Sequence, residues 1–531
     1  MKDMRFGFRR KMLVLFCGLL MLQTFLFGLG GAAAEGGPGE RQGGVQPEYV
    51  EGEVLVVFRP GVTSREKADW LKAHGLPPSE PIPGTDAERI ALPEGADEEE
   101  TVQALKASGL VEIAQPNYIY SVALASTDEA DIPPARPDHY ENWDVRQAWG
   151  LENRGQLIEI FPGYGRTGVY GIDMGAAEAW KTIDEDLLDP VVVALIDTGV
   201  DIDHPMFKGR IWTNPGEIPG DGIDNDGNGY IDDIHGWDFV NNDNSVFDHP
   251  LLDYHGTLDA SVIASVAPNA VIMPLKVTDG GRLTTEDWVR AVHYAVNMGV
   301  KISNNSLAFN PYSVDELVKR TLREADMLFV FAAGNGDRFS DPINLDEELF
   351  SLVNLNYPKQ INVAALGPDG NLISFSNYGK NTVHIAAPGY AVYVAVPRGL
   401  VEGFHYYYVD GTSEAAPHAA AAAAVAMGMM DLSVLETKDL LLRSAKPLPA
   451  LEDKIMTGAL LSLDLAQSVQ HLDVDLDDPK EFRNSGVTVS FSTGKYGALK
   501  AGEDVVVLRM DGMDAASLAG KRDAVTFNGV A

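Results

Sequence analysis

Apolar runs alternate with amphipathic stretches through the middle of the chain. The run VVVALID at 191–197 has no polar residue before its final aspartate, which is typical of a strand buried on both faces of a parallel sheet. Similar runs occur at 270–277, 300–306 and 327–335, with helical patterns between them at 284–299 and 313–326. The alternation predicts an α/β domain with a mostly parallel sheet and crossover helices. Functional residues of such sheets gather at the carboxyl ends of strands.

A smaller α+β pattern precedes this domain, over residues 47–121. Strands are predicted at 53–58, 88–93 and 111–120, and helices at 64–75 and 97–109, the first with Ser64 as its N-cap. Linkers are predicted at 35–46, which is rich in glycine, and at 122–146, which is polar and contains prolines. The large domain then covers 147–469, and a short β-rich extension is expected at 470–531.

The N-terminal segment has the pattern of a secretory signal peptide. A basic start is followed by an apolar run from Met12 to Gly31 and by three alanines that offer a cleavage site. A signal peptide over 1–34 predicts a protein that is secreted or held at the exterior of the cell envelope. After its removal no stable membrane association is expected, although the run is long enough for the alternative of an uncleaved anchor. The only cysteine, Cys17, lies in this segment, so the mature chain would have no disulfide.

The 531-residue chain is strongly acidic. It has 41 Lys and Arg against 77 Asp and Glu, a net charge of −36. A surface of this sign argues against nucleic acid or an anionic membrane as partner. It suits a soluble exported protein or one that binds cations, and the sequence leaves both open.

Three short segments carry residues that can form a nucleophilic triad. Asp197 ends a buried run, His255 stands in YHGT, and Ser413 follows Gly-Thr at the start of an alanine-rich helix. A serine hydroxyl needs a base, imidazole titrates near neutral pH, and a buried carboxylate orients the imidazole. Taken singly, His255 and Ser413 are better explained as ordinary helix-start residues. Their order and their placement at strand ends together favour the triad.

The same segments resemble the subtilisin-like serine peptidases. The resemblance covers about 147–467 and consists of LIDTGVDIDHP around Asp197, HGT at 255–257, AAGN at 332–335 and GTSEAAPH at 411–418. It implies the subtilisin-like three-layer α/β fold and a serine endopeptidase that acts on proteins or peptides through an acyl-enzyme. It also implies that Asp197 orients, His255 is general base and then acid, and Ser413 is the nucleophile.

Further site residues follow from this resemblance. Asn335 matches the side chain that donates to the oxyanion. The substrate is expected along two strand ends, at Ser306, Leu307, Ala308, Ala333 and Gly334. Family members carry glycines where this chain has Ala308-Phe309, so the cleft would be narrower. The domain at 47–121 is similar to the family's ferredoxin-like propeptide, which implies that the chain's own propeptide inhibits it until cut.

An acidic loop at 221–236, DGIDNDGNGYIDDIHG, favours a structural Ca²⁺ site. Oxygen-bearing groups alternate as in an EF-hand-type loop, with a glycine at the sixth position. The expected ligands are Asp224, Asp226, Asn228, the Tyr230 carbonyl and Asp232. The alternative is an acidic Asn-Gly turn cluster of the kind common on surfaces.

Glu414, directly after the predicted nucleophile, departs from the family pattern. An ionised carboxylate there would raise the pKa of His255. Alternatively, Glu414 points away and favours only the helix N-terminus. Together with the altered edge at Ala308-Phe309, this residue motivates a second hypothesis from another class. The chain would then be a catalytically weak or inactive binding protein on the same fold.

Overall fold

A computed structural model describes residues 48–121, 145–161, 164–181, 183, 188–307, 315–336, 341–349, 351–400 and 406–464. The predicted signal peptide, both linkers except Val145 and Arg146, the extension at 470–531, and Ala308-Phe309 lie outside the described residues.

The large domain is built on one mostly parallel sheet. The strands of the chain are β1 (Tyr49–Phe58), β2 (Glu80–Pro81), β3 (Ala87–Ala91), β4 (Val111–Ser121), β5 (Leu157–Phe161), β6 (Tyr164–Thr167), β7 (Val191–Asp197), β8 (Trp237–Asp238), β9 (Ala270–Lys276), β10 (Arg282–Thr284), β11 (Ile302–Asn305), β12 (Leu328–Ala332), β13 (Gln360–Leu366), β14 (Ile385–Pro388), β15 (Val392–Ala395), β16 (Tyr406–Val409), β17 (Lys446–Pro447) and β18 (Ala459–Leu460). Nine of them form the sheet in the order β17-β18-β14-β13-β12-β11-β7-β9-β8. All neighbours run parallel except β17 and β18. The predicted mostly parallel sheet is therefore confirmed.

Helices cover both faces of this sheet. They are α1 (Ser64–Ala73), α2 (Glu98–Ser108), α3 (Ala176–Ala179), α4 (Tyr254–Val266), α5 (Thr285–Asn297), α6 (Glu316–Glu324), α7 (Thr412–Met429) and α8 (Val434–Arg443). Short 3₁₀ turns lie at Val145–Gln147, Pro205–Phe207, Leu352–Leu355 and Pro449–Leu451. Within the described part of the chain, no single helix has the length and apolarity needed to cross a membrane, and only the sharply bent pair of α7 and α8 meets that criterion together.

The alternating side chains of β7 show why the sheet needs helices on both faces. Val193 and Leu195 join α4 and α7 in one hydrophobic core, whereas Ala194 and Ile196 join α5 and α6 in the other. Each fully buried Leu or Ile side chain contributes about 1.5–3 kcal/mol. A strand with two such faces has no polar side, which explains the unbroken apolar run in its sequence.

Helix α7 lies close to the sheet because its side chains are small. Its alanines at 419–424 are completely buried, and the helix packs against α4 and strands β11 to β14. A helix buried on nearly every side has no polar face, so its sequence lacks amphipathic periodicity. The start of this helix is thereby held rigidly at the carboxyl edge of the sheet.

The N-terminal domain is an antiparallel sheet with two helices. Its strand order is β4-β1-β3-β2, and β10 of the large domain extends this sheet by pairing antiparallel with β4. Val54 and Val56 of β1 face the small domain's own core, while Leu55 and Val57 face the core shared with α5 and α6. The prediction of Ser64 as N-cap of α1 is wrong by one residue. Thr63 is the cap, because its hydroxyl accepts the N–H of Glu66 while the Glu66 side chain accepts that of Thr63.

Candidate active site

Asp197 and His255 form a buried pair at the carboxyl edge of the sheet. Asp197 is the last residue of β7, and His255 lies in the first turn of α4. The His255 Nδ1 atom is 2.8 Å from Asp197 Oδ1. The same oxygen accepts the N–H of Thr198 at 2.7 Å. This arrangement fixes the imidazole's orientation and leaves Nε2 as its reactive nitrogen.

Glycines in the two motifs allow the elements to approach closely. A Cβ atom on Gly256 would lie 2.3 Å from the Gly199 carbonyl oxygen. Gly199 itself adopts a φ of 124°, which disfavours a side chain. Thr198 Oγ1 accepts the N–H of Gly256 at 3.1 Å. The DTG and HGT sequences are thus two halves of one contact.

Ser413 occupies the first turn of α7 and is buried. Its hydroxyl donates to the Ser306 carbonyl at 3.2 Å, and the Ser306 hydroxyl donates to the Ser413 carbonyl at 2.9 Å. Within the described residues, His255 Nε2 has no hydrogen-bond partner. The hydroxyl is therefore turned to the end of β11 rather than to the imidazole. The hydrogen bond between a nucleophile and its general base is often long without substrate and shortens only in the complex.

Asn335 stands beside Ser413, after the end of β12. Its side-chain oxygen accepts the N–H and the hydroxyl of Thr412 at 2.9 and 2.8 Å. The Thr412 hydroxyl in turn accepts the N–H of Gly334 at 3.0 Å. Because the amide oxygen is engaged, the NH₂ group is the part of Asn335 that can donate to a ligand.

The predicted substrate residues flank this centre on two neighbouring strands. Ser306 directly follows β11, and Ala333 and Gly334 directly follow β12, which pairs with β11. The Leu307 side chain packs into the core on the α5 and α6 side, so only its backbone is available to a substrate. Substrate binding at these positions stays a prediction.

A second buried carboxylate beside His255 was not predicted from the sequence. Asp259 lies one helical turn after His255 on α4 and is completely buried. Its Oδ2 atom accepts from Asn304 Nδ2 at 3.1 Å, and its Oδ1 atom has no hydrogen-bond partner among the described residues. The spacing of four residues was the available signal, because positions i and i+4 share one helix face.

Glu414 is the third carboxylate near the imidazole. Its side chain is buried, and neither oxygen accepts a hydrogen bond from another described residue. Burial raises the pKa of Glu414 and of Asp259, and the charge of His255 opposes this rise. Burial lowers the pKa of His255, but the carboxylates of Asp197, Asp259 and Glu414 outweigh it and raise this pKa to about 10. This electrostatic contact favours the first interpretation of Glu414 over a residue that points away.

The acidic loop folds as a compact series of turns. Both Asp224 oxygens accept backbone N–H groups of Gly227 and Gly229 at 2.7 and 2.9 Å. The Asp232 oxygens likewise accept those of Gly220 and Gly222. Two predicted ligands therefore brace the loop. Tyr230 packs its ring between Trp237 and Tyr294, and its N–H donates to Asn228 Oδ1 at 2.7 Å.

Carboxylate oxygens of the loop converge with that of Glu217, which precedes it. Single oxygens of Glu217, Asp226 and Asp233 lie within 4.8 Å of one another. The Asn228 amide bridges two of them, donating to Asp226 and Asp233 at 3.2 and 2.9 Å. Convergent carboxylate oxygens fit a hard cation such as Ca²⁺. Glu217 and Asp233 were not among the predicted ligands, because the convergence depends on how the loop folds back and not on alternate spacing.

The N-terminal domain binds the helix starts of the large domain. Gln115 Oε1 accepts the N–H groups of Glu316 and Leu317 at 2.9 and 3.0 Å, which caps α6. Asn117 Oδ1 accepts the N–H of Glu286 at 3.1 Å, which caps α5. Tyr120 donates its hydroxyl to Asp315. Helix starts leave unpaired N–H groups, so these contacts are strong and directional.

Comparison with known proteins gives family matches over both domains. Residues 189–484 match the Subtilase family model, Peptidase S8. Residues 38–117 match the Fervidolysin N-terminal prodomain. The thermophilic serine proteinase of Bacillus sp. (strain AK1) is 27% identical over 393 residues, which are 71% of this chain and 78% of that protein.

Other relatives are longer than this chain. Subtilisin-like protease 1 of Plasmodium berghei (strain Anka) is 27% identical over 323 residues, 55% of this chain and 52% of that protein. The crystal structure of fervidolysin from Fervidobacterium pennivorans, described as a keratinolytic enzyme related to subtilisin, has a TM-score of 0.55 at 21% identity. That match covers 80% of this chain and 61% of fervidolysin, and it shows the shared fold.

The two family matches and the Bacillus relative indicate a serine-type endopeptidase preceded by a prodomain. The chain belongs to the subtilase family.

Proposed function

We propose that this chain hydrolyses peptide bonds of protein or peptide substrates through an acyl-enzyme on Ser413. The buried contact between His255 Nδ1 and Asp197 Oδ1 carries this proposal. It lies at the same edge of the sheet as Ser413 and Asn335, the two groups that the chemistry requires besides a base.

The proposed reaction has two halves, formation and hydrolysis of the acyl-enzyme, and each group acts once in each half. His255 Nε2 takes the proton of Ser413 Oγ as this oxygen attacks the substrate carbonyl carbon. The resulting oxyanion accepts hydrogen bonds from Asn335 Nδ2 and from the N–H of Ser413, which in the first turn of α7 has no partner within the helix. His255 then gives its proton to the leaving amine. Water hydrolyses the ester by the same steps in reverse order.

Ser413 must rotate before it reacts. Its hydroxyl donates to the Ser306 carbonyl, and a change between staggered χ1 positions redirects it. The same contact motivates the second candidate function, a binding protein with little or no activity, because the hydroxyl does not meet the imidazole in this state.

We propose that residues 47–121 act as the inhibitory propeptide and that 1–34 direct the chain out of the cytoplasm. The edge pairing of Ile119–Ser121 with β10 supports the first part. It aligns the end of the small domain with a short strand of the large one. Cleavage of the segment that follows would release the small domain.

We also propose that the acidic loop binds Ca²⁺ through Glu217, Asp226 and Asp233. Ca²⁺ should raise the melting temperature of the chain, and a chelator should lower it. Asp226→Asn should abolish this dependence, whereas Asp69→Asn, at an exposed site of α1, should keep it. An equal calcium effect in Asp226→Asn would exclude this ligand set.

Active-site labelling separates the two candidate functions. The full chain is treated with a fluorophosphonate, and the modified residue is located by mass spectrometry. Adduct at Ser413, absent from Ser413→Ala and slowed in Asp197→Asn, is expected for the peptidase. Peptide hydrolysis and separation of the small domain should show the same dependence. Intact folding without adduct or hydrolysis would favour the binding protein.

A further inference from the structure

Four buried titratable groups cluster near the proposed nucleophile. Single ligand atoms of Asp197, His255 and Asp259 lie within 4.8 Å of one another. Glu414, from the first turn of α7, lies near enough to contribute to the electrostatics of His255 and of Asp259. Orienting the imidazole requires only one carboxylate, whereas three lie near His255 at this site.

Most polar atoms of the cluster have no partner among the described residues. These atoms are Asp197 Oδ2, His255 Nε2, Asp259 Oδ1 and both side-chain oxygens of Glu414. An ionised carboxylate buried without hydrogen bonds is unfavourable, and neighbouring carboxylates disfavour one another's ionisation. A positive imidazolium offsets both effects. The arrangement therefore retains protons, either on a carboxyl group or on the imidazole.

The orientation of Ser413 agrees with a protonated imidazole. A neutral His255 with its Nδ1 proton directed at Asp197 would present Nε2 as an acceptor for the serine hydroxyl. An imidazolium has two N–H donors and no acceptor. The Ser413 hydroxyl instead donates to the Ser306 carbonyl. This serine orientation is the one expected when Nε2 offers no acceptor.

We propose that Asp259 is a positioning residue which, together with Glu414, retains a proton on His255, so that Ser413 engages the base only after this proton leaves. The proposal rests on the proposed Asp197–His255–Ser413 mechanism. Asp259 touches neither substrate nor nucleophile in this role. It acts through the charge and orientation of the imidazole.

The groups facing His255 come from several elements. Asp197 faces it from β7, Asp259 and the Tyr254 ring from α4, and Glu414 from α7. Tyr407 of β16 lies beside Tyr254 and Glu414, and burial raises its pKa. A neutral phenol there supplies no charge that could replace a carboxylate. The three carboxylates also raise the pKa of His255 against the effect of burial.

The activity should therefore rise with pH. The midpoint of this rise should lie at a higher pH than it would if Asp197 were the only carboxylate beside His255. Asp259→Asn preserves the side-chain shape and the acceptor for Asn304, but it removes one negative charge. A charge at this range shifts a pKa by about 1–3 units. The midpoint should therefore move to lower pH by about that amount. Glu414→Gln should move it in the same direction.

The test measures the rate of fluorophosphonate labelling of the full chain as a function of pH. Wild type, Asp259→Asn and Glu414→Gln are compared, with Ser413→Ala as blank and Asp326→Asn as an exposed-charge control. A lower midpoint in both cluster variants and an unchanged midpoint in Asp326→Asn are expected. The His255 ¹⁵N chemical shift, followed across pH in wild type and variants, reports the same proton without requiring activity.

Distinct outcomes separate this inference from the function on which it rests. Equal labelling of Ser413→Ala would overturn the proposed nucleophile. Normal labelling with coincident midpoints in wild type, Asp259→Asn and Glu414→Gln would overturn only the proton-retaining role. A loss of labelling in Asp259→Asn at every pH, with an unshifted His255 titration, would likewise reduce Asp259 to a packing residue. If Asp259→Asn does not fold, Glu414→Gln and the His255 titration decide.

Discussion

His255 Nδ1 and Asp197 Oδ1 are 2.8 Å apart, and each side chain is only 1% exposed. A buried contact of this kind selects one tautomer of the imidazole. Asp197→Asn should therefore fold normally and lower kcat by about 10⁴-fold with little change in KM. Steady-state hydrolysis of a peptide substrate measures both constants. A variant with more than a tenth of the wild-type kcat would contradict the orienting role.

Asn335 accepts from Thr412 through its oxygen, which leaves its NH₂ group for the oxyanion. Asn335→Asp keeps the acceptor and the volume but loses the donor. We expect kcat to fall by about 10²–10³-fold. Thermal unfolding serves as the control and should change little. A rise in KM with an unchanged kcat would instead assign Asn335 to substrate binding.

Lys276 lies at the end of β9, opposite Asp197 in the register of β7 and β9. Its ammonium pairs with Asp238 at 3.1 Å and Asp253 at 3.3 Å, and it also contacts Asp248. Lys276→Met would leave buried carboxylates without their cation and should cost about 3–5 kcal/mol in the free energy of unfolding. Lys301→Met, at an exposed pair with Asp326, should cost no more than about 1 kcal/mol. Denaturant unfolding of both variants tests the contrast.

Gln115 reaches from the small domain to the start of α6, where it accepts two backbone N–H groups and donates to Asp315 at 2.9 Å. Gln115→Leu would leave the N–H groups of Glu316 and Leu317 without this partner in the complex, at about 1–3 kcal/mol each. The variant domain should therefore dissociate faster from the large domain after processing, and full activity should appear sooner. Gln103→Leu, at an exposed position on α2, is the matched control. Equal dissociation of the two variants would argue against the capping contact as an anchor.

Two buried histidines should make the fold sensitive to acid. Burial, aided by Lys438, lowers the pKa of His384 to about 3. Burial lowers that of His418 to about 4, against a backbone contact with Glu414. The unfolded chain binds these protons from about pH 6.5 downwards, whereas the folded chain does not. The contribution of the two neutral histidines to the free energy of unfolding is therefore fully present above pH 6.5. It is lost as the pH falls towards the lowered pKa values.

His384→Gln should remove part of this acid dependence. Each buried histidine contributes a slope of about 1.4 kcal/mol per pH unit in that window. Urea unfolding between pH 7 and pH 4 should show a smaller slope for His384→Gln than for wild type. His74→Gln, at an exposed position, should show the wild-type slope. Identical slopes for all three proteins would place the acid sensitivity elsewhere.

Local patterns in the sequence were sufficient for the fold class and for naming the candidate residues of the site. The apolar run at 191–197 predicts a strand with two buried faces, and the structure places such a strand in the interior of the sheet, between β11 and β9. The DTG and HGT motifs mark Asp197 and His255 in the sequence, and the structure shows that their glycines allow close approach, because a Cβ atom at Gly256 has no room. These signals are local in the chain, so a sequence displays them directly.

Other features depend on which side chains meet in space. Asp259 is one acidic residue among 77 Asp and Glu, and its spacing of four residues from His255 indicates a shared helix face without showing that this face is buried. The convergence of Glu217 with Asp226 and Asp233 depends in the same way on how the loop folds back. Alternate spacing predicted Asp224 and Asp232 as ligands; both accept backbone N–H groups in the structure, and their role as ligands stays a prediction.

The sequence by itself determined the mostly parallel α/β sheet, the small preceding domain and the three residues of the proposed triad. Periodicity and strand-end motifs are properties of consecutive residues, which sequence alone can resolve. Only the tertiary structure decided that Glu414 faces the imidazole, that Asp259 joins it, and that Ser413 donates to Ser306. Burial and electrostatic contact depend on distances between residues far apart in the chain, and these distances exist only once the two faces of the sheet have packed.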